Sequence, residues 1–132
     1  MKTSDFIEAL ISFANTIKTG FNVYYDRAPK EKNYPYGVIS HISPTDLCEG
    51  DLTFFDFDLW TNDKKPSATV DLEELCDICR RKLDKKILSV DGSFVSHIGY
   101  ESRDSSDDRE DDLSHRRQVY AARIFYYESE EN

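Results

Sequence analysis

Nine residues in the middle of the chain, Thr53 to Thr61 (TFFDFDLWT), leave little choice of conformation. Phe55, Phe57 and Leu59 fall on one side of an extended backbone and Phe54, Asp56, Asp58 and Trp60 on the other, which is the two-residue period of a β-strand. Aromatic side chains suit a pleated, half-buried surface. Polar and breaking residues bound the run, Glu49-Gly50-Asp51 before it and Asn62-Asp63-Lys64-Lys65-Pro66 after it. The stretch predicts a central strand whose Phe55 face walls the core.

Two amphipathic helices are available to cover that wall. From about Ser4 to Thr19, Phe6, Leu10, Phe13 and Ile17 recur at helical spacing, widened by Ile7, Ile11 and Ala14. Ser4 or Asp5 is placed as the cap, with Glu8 completing a capping box and Gly20 ending the helix. The second helix follows Pro66, with Ser67 or Thr69 as cap and an apolar stripe of Leu72, Leu75, Cys76, Cys79 and Leu83. Its acids come early and Arg80, Arg81, Lys82, Lys85 and Lys86 come late, an order that complements the helix dipole.

The remaining elements read as strands. They are Phe21 to Tyr25, Tyr36 to Ser43, Phe94 to Tyr100 and Gln118 to Tyr127, with Ile87 to Val90 either an edge strand or the end of the second helix. Pro44 to Gly50 and Asp91-Gly92 read as turns. Together the elements describe a single α+β domain spanning residues 1–132, closed by a long C-terminal hairpin.

Between the last two strands, Arg103 to His115 (RDSSDDREDDLSH) carries Asp104, Asp107, Asp108, Glu110, Asp111 and Asp112 with Leu113 as its one apolar residue. Charges this dense repel one another and bury no core, so the stretch predicts a mobile acidic loop.

With 132 residues and 13% aromatic content, the chain is long enough for one core rich in Phe and Tyr. Its net charge of -9 repels nucleic acid and anionic membranes. The amphipathic start is unlike a signal peptide, no run approaches a membrane span, and three cysteines make no disulfide framework. These features point to a soluble cytoplasmic protein.

No catalytic set emerges, and no cofactor or metal is expected. Cys76-x-x-Cys79 suggests redox or zinc chemistry, but both thiols fall on the apolar stripe, and only Cys48, His41, His97 and His115 remain as soft ligands. The acidic loop lacks the alternating carboxylates of a calcium loop. Asp56 and Asp58 share the outer strand face with Phe54 and Trp60 and read as partly solvated acids rather than a catalytic pair. Phosphate-binding and dinucleotide motifs are absent. The basic cluster at Arg80 to Lys86 reads as a helix end, with nucleic-acid binding a weak alternative.

The order of these pieces resembles the phage tail terminator family, the tail-completion and head-tail joining proteins of long-tailed phages. The likeness runs from about Phe6 to Tyr127 and is carried by VYYDRAP, Tyr34-Pro35-Tyr36 and Leu59-Trp60-Thr61. It implies a mainly antiparallel sheet packed by helices and a subunit that forms a hexameric ring on the head-proximal end of the tail tube. The implied partners are further copies of the chain, the tail-tube protein and the head-completion or connector protein. Phage DNA would pass through the ring without specific binding, and the protein would be found in the host cytoplasm during assembly and then at the head-tail junction. Within this picture the acidic loop faces either the lumen or a neighbour's basic helix end at Arg80 to Lys86. A reading of another class is a soluble adaptor whose acidic loop mimics nucleic acid.

Overall fold

The computed structural model describes residues 2–47, 50–62, 64–105 and 112–127. Helix α1 (Lys2–Ala14) leads into β1 (Asn22–Tyr25), β2 (Tyr36–Leu47) and β3 (Gly50–Asn62). Helix α2 (Ala68–Leu83) follows, then β4 (Ile87–Val90), β5 (Phe94–Ser105) and β6 (Leu113–Tyr126). The strands form one six-stranded sheet in the order β1-β2-β3-β6-β5-β4. Every pairing is antiparallel except β1 with β2. This is an α+β fold, with β3 and β6 at the centre of the sheet.

Both helices contribute to one core on one face of the sheet. Phe6, Leu10 and Ala14 of α1 and Leu72, Leu75, Cys76, Cys79 and Leu83 of α2 are buried there with Phe55, Phe57 and Leu59. Phe6 lies edge-on to Phe94 and Phe55, at centroid distances of 5.7 and 6.4 Å, and Phe55 stacks on Tyr120 at 5.4 Å. Such aromatic pairs add about 0.5–1.5 kcal/mol each beyond the area they bury. Gln118, fully buried, donates from Nε2 to the Cys76 carbonyl at 3.0 Å and accepts from the Tyr120 hydroxyl at 2.7 Å. Its amide thus ties α2 to β6 with both ends of the group used.

Several boundaries depart from the sequence expectation. Helix α1 starts at Lys2 and stops at Ala14 rather than running to Thr19. Asp5 therefore lies inside the first turn and accepts the Ser93 hydroxyl at 2.7 Å instead of forming a capping box. Asn15 ends the helix: its amide donates to the Ile11 and Val23 carbonyls and accepts from the Val23 N–H, all within 3.0 Å. Ile17 reaches the core from the connector beyond that stop. Ser67 precedes α2 without a side-chain capping bond and donates its hydroxyl to Asp71 instead. Ile87–Val90 is an edge strand.

The expected turn from Pro44 to Gly50 is mostly strand. β2 continues to Leu47, and Pro44 pairs with Thr53. A bulge between Ser40 and Ser43 separates this lower half from the part of β2 that faces β1, whose pairing stops at Ile39. Pro44 can sit there because no ladder on the β1 side requires its missing N–H. Within the bulge His41 takes a left-handed φ of 54°.

Candidate interaction surfaces

The alternation of β3 and β6 divides charge between the two faces of the sheet. On the face away from the helices, Asp58 pairs across the strands with Arg117 and Trp60 with His115. His115 Nε2 lies 2.6 Å from Asp58 Oδ1, and Arg117 donates to both oxygens of the same carboxylate at 2.8 and 3.2 Å. Burial pushes the Asp58 carboxyl up, but the hydrogen bonds from His115 and Arg117, with their charges, outweigh it and hold the group below the usual carboxylate range. Asp56 extends the chain of contacts, 2.8 Å from His41 Nδ1 and 3.7 Å from Arg117. Asp58 is therefore a buried, paired acid, which corrects the expectation of a partly solvated one. This array saturates its own charges and holds two central strands in register.

A second polar seam joins α2 to the hairpin. Arg103 of β5 donates to Glu73 at 2.8 Å and to Asp77 at 2.9 Å, while Arg116 of β6 donates from Nε to Glu73. One turn further along the same flank, the Arg80 guanidinium lies 4.0 Å from the centroid of the Tyr100 ring. The spacing of Glu73, Asp77 and Arg80 sets this flank beside the buried stripe of the helix.

The opposite flank of α2 borders a groove of about 650 Å³. Lys18, Lys32 and Lys65 stand around it, with Tyr34, Pro35 and Ile78 supplying apolar lining. Tyr36 packs behind it against Tyr34 and Tyr24, at 5.4 and 6.3 Å between centroids. Burial in this cluster, with Tyr34 and Tyr24 adding to it, pushes the Tyr36 hydroxyl up to about 12.

The residues singled out from sequence are placed as follows. Asp104 belongs to β5 and pairs across the sheet with Arg117, and Asp112 directly precedes β6. Arg103 to Ser105 and Leu113 to His115 are strand, so the expected loop is shorter than thirteen residues at both ends. Asp107, Asp108, Glu110 and Asp111 lie outside the described residues. Of the basic cluster, Arg80 to Lys82 close α2, whereas Lys85 and Lys86 fall after it, Lys85 with a φ of 65°. Lys86 lies over the Phe13 ring at 4.5 Å. Cys76 and Cys79 are buried core thiols; burial pushes Cys76 up to about 11 and Cys79 higher still. Among the described residues no three potential metal ligands come together, and no helix is long and apolar enough to cross a membrane. The sequence reading missed Arg103, Arg116 and Arg117, although carrying the period of β6 back through HRRQ sets Arg116 and Arg117 on opposite faces.

No protein-family model matches the chain, and no curated protein matches it. Solved structures do. A chain described as "Virion of native gene transfer agent (GTA) particle" superposes with a TM-score of 0.61 at 16% identity, over 85% of this chain and 83% of that one. The likeness is one of fold. A second solved structure, whose name states no function, gives a TM-score of 0.67 at 10% identity over 96% of this chain and 95% of the other. The second match thus spans nearly the whole length of the chain.

Proposed function

We propose that the protein is a structural subunit of a phage-like virion that caps the tail tube as a hexameric ring, ends its polymerisation and joins tail to head. The observation that carries this reading is the fold match to a gene transfer agent virion chain over 85% of the sequence. The terminator-like order of VYYDRAP, YPY and LWT adds to it. Net charge agrees with the role: at -9, a ring around a DNA channel repels phosphate and lets the genome pass without sticking. Its chemistry is that of an assembly part, with charge invested in cross-strand pairs rather than in a reacting centre.

Electron microscopy of the purified protein mixed with the cognate tail-tube protein tests the proposal. Rings on one end of length-limited tubes are the expected result. Tubes that grow unchecked beside free monomer would overturn it and favour the acidic adaptor.

A further inference from the structure

The sheet face away from the helices changes character along its length. Toward one end Asp56 and Asp58 meet His41, His115 and Arg117 and are paired within the subunit. Toward the other end the same face is apolar. Strand register places Leu52, Phe54, Ala121, Val95 and Phe125 together there, and Ile87 carries the surface onto β4. Phe54, Phe125 and Ile87 are exposed, at 39, 43 and 62%, and an apolar surface spread over four strands marks a place where another element packs. Across its middle runs the row Leu52, Arg123, His97 and Ile87. Both basic side chains in that row are exposed, and among the described residues neither makes an ion pair. No carboxylate stands in this row or in the neighbouring rows Phe54–Ala121–Gly99 and Phe125–Val95–Ser89. Two copies of this face laid together would set Arg123 and His97 against their own counterparts with no acid between them. The occupant therefore brings apolar side chains and a carboxylate together.

Helix α1 has that surface. From Thr3 to Thr16 it contains no basic residue. Glu8 is exposed and makes no ion pair among the described residues, with Ile7 and Ile11 half-buried beside it and the small Ser4 and Ser12 one turn away on either side. Helix α2 is the poorer match: it ends in Arg80, Arg81 and Lys82, and its groove flank meets Lys18, Lys32 and Lys65, charges that oppose Arg123.

We propose that the apolar outer face of the sheet seats helix α1 of a second copy of this chain, with Glu8 on Arg123 and His97 and with Ile7 and Ile11 against Phe54 and Phe125. The two surfaces lie on opposite faces of one subunit. Phe6, Leu10 and Ala14 bury α1 against the Phe55 side of the sheet, while Phe54 and Arg123 alternate onto the other side. The helix layer of one copy thus covers the sheet of the next, a heterologous contact that generates a ring where the rotation between neighbours closes. The inference rests on the reading of the chain as an assembling virion subunit and names the contact that assembly uses.

The test is photo-cross-linking of the full-length chain. ¹⁵N-labelled protein with a benzophenone side chain at position 54 is mixed with unlabelled wild type and irradiated, both concentrated in solution and bound to tail tubes. Adducts to the α1 peptide of the unlabelled copy are expected. Adducts to the α2 peptide or to the tube protein instead give the face another occupant and overturn the proposal, as does the absence of α1 adducts under both conditions. Charge exchange supplies the energetic check. E8R and R123E each weaken self-association by about tenfold or more in sedimentation, and the double variant E8R/R123E restores it, because position 8 of one copy meets position 123 of the next. No restoration overturns the pairing. E74R, on the exposed side of α2, leaves association unchanged; loss there moves the seat to α2 and overturns the proposal. Tubes capped without α1 adducts overturn this seat and leave the function standing, while adducts without capping do the reverse.

Discussion

Trp60 and His115 lie face to face on neighbouring strands, their ring centroids 4.2 Å apart and their planes 20° from parallel. The imidazole is fixed in that position by Asp58, 2.6 Å from its Nε2. Removing the carboxylate takes the shared acid away from His115 and Arg117 at a buried position of the sheet, and breaking a buried pair of this kind costs about 3 kcal/mol. Asp58→Ala is therefore expected to lower the urea midpoint with little change in slope and to alter the emission of Trp60, the sole tryptophan. An unaltered midpoint and spectrum would show that the array contributes nothing.

The same carboxylate sets an acid limit. Its folded form titrates below the ordinary value of 3.8, so its contribution is complete above that pH and is lost as pH falls through the lower folded value. Stability of the wild type is expected to decline below about pH 4 more steeply than that of Asp58→Asn, which has no carboxyl to protonate there. Thermal melts of both proteins between pH 2.5 and 6, design values chosen to span roughly the carboxylate range, provide the comparison. Parallel curves would refute the assignment.

Gly37 has no room for a side chain. A Cβ there would stand 2.5 Å from Phe57 Cε1 and 3.0 Å from Phe21 Cζ, and both rings are buried. Gly37→Ala is expected to destabilise the fold by about 1–3 kcal/mol through overpacking. At Gly20, where a Cβ meets nothing within 4 Å, the cost comes instead from its φ of 81°. The double variant Gly37→Ala/Phe57→Leu recovers part of the loss in denaturant titration, because it removes the atoms in the way.

Cys76 and Cys79 are expected to resist alkylation in the native state. With Cys76 held up at about 11, only about a thousandth of it is thiolate at pH 8, and burial blocks the reagent as well. Peptide mass mapping after iodoacetamide treatment should find both unmodified until denaturant is added. Rapid native labelling of either would place it outside the core.

The fold was legible where one periodicity dominates. Phe55, Phe57 and Leu59 alternate cleanly and form the core wall as expected, and the α2 stripe keeps its order from Leu72 to Leu83. Errors came where a distant partner decides the outcome. Asn15 stops α1 by bonding to Val23, a contact eight residues away that no helix pattern announces. Asp104 and His115 look like loop beside their acidic neighbours, yet the sheet ladder sets Asp104 opposite Arg117 and His115 opposite Trp60. Arg116 and Arg117 are adjacent in sequence but serve opposite faces, one bonded to α2 and the other to Asp58. The lysines of the groove come from separate segments, and only the fold brings Lys18, Lys32 and Lys65 together.

Pro44 bears on what the open margin of β2 can accept. Past Ile39 the β1 side of β2 has no strand partner among the described residues, and a sheet margin of that kind invites a foreign strand to add on without limit. With no amide hydrogen at its middle, this margin interrupts any continuous ladder laid against it. Backbone zippering along that margin is therefore broken at Pro44, whatever strand is laid beside it.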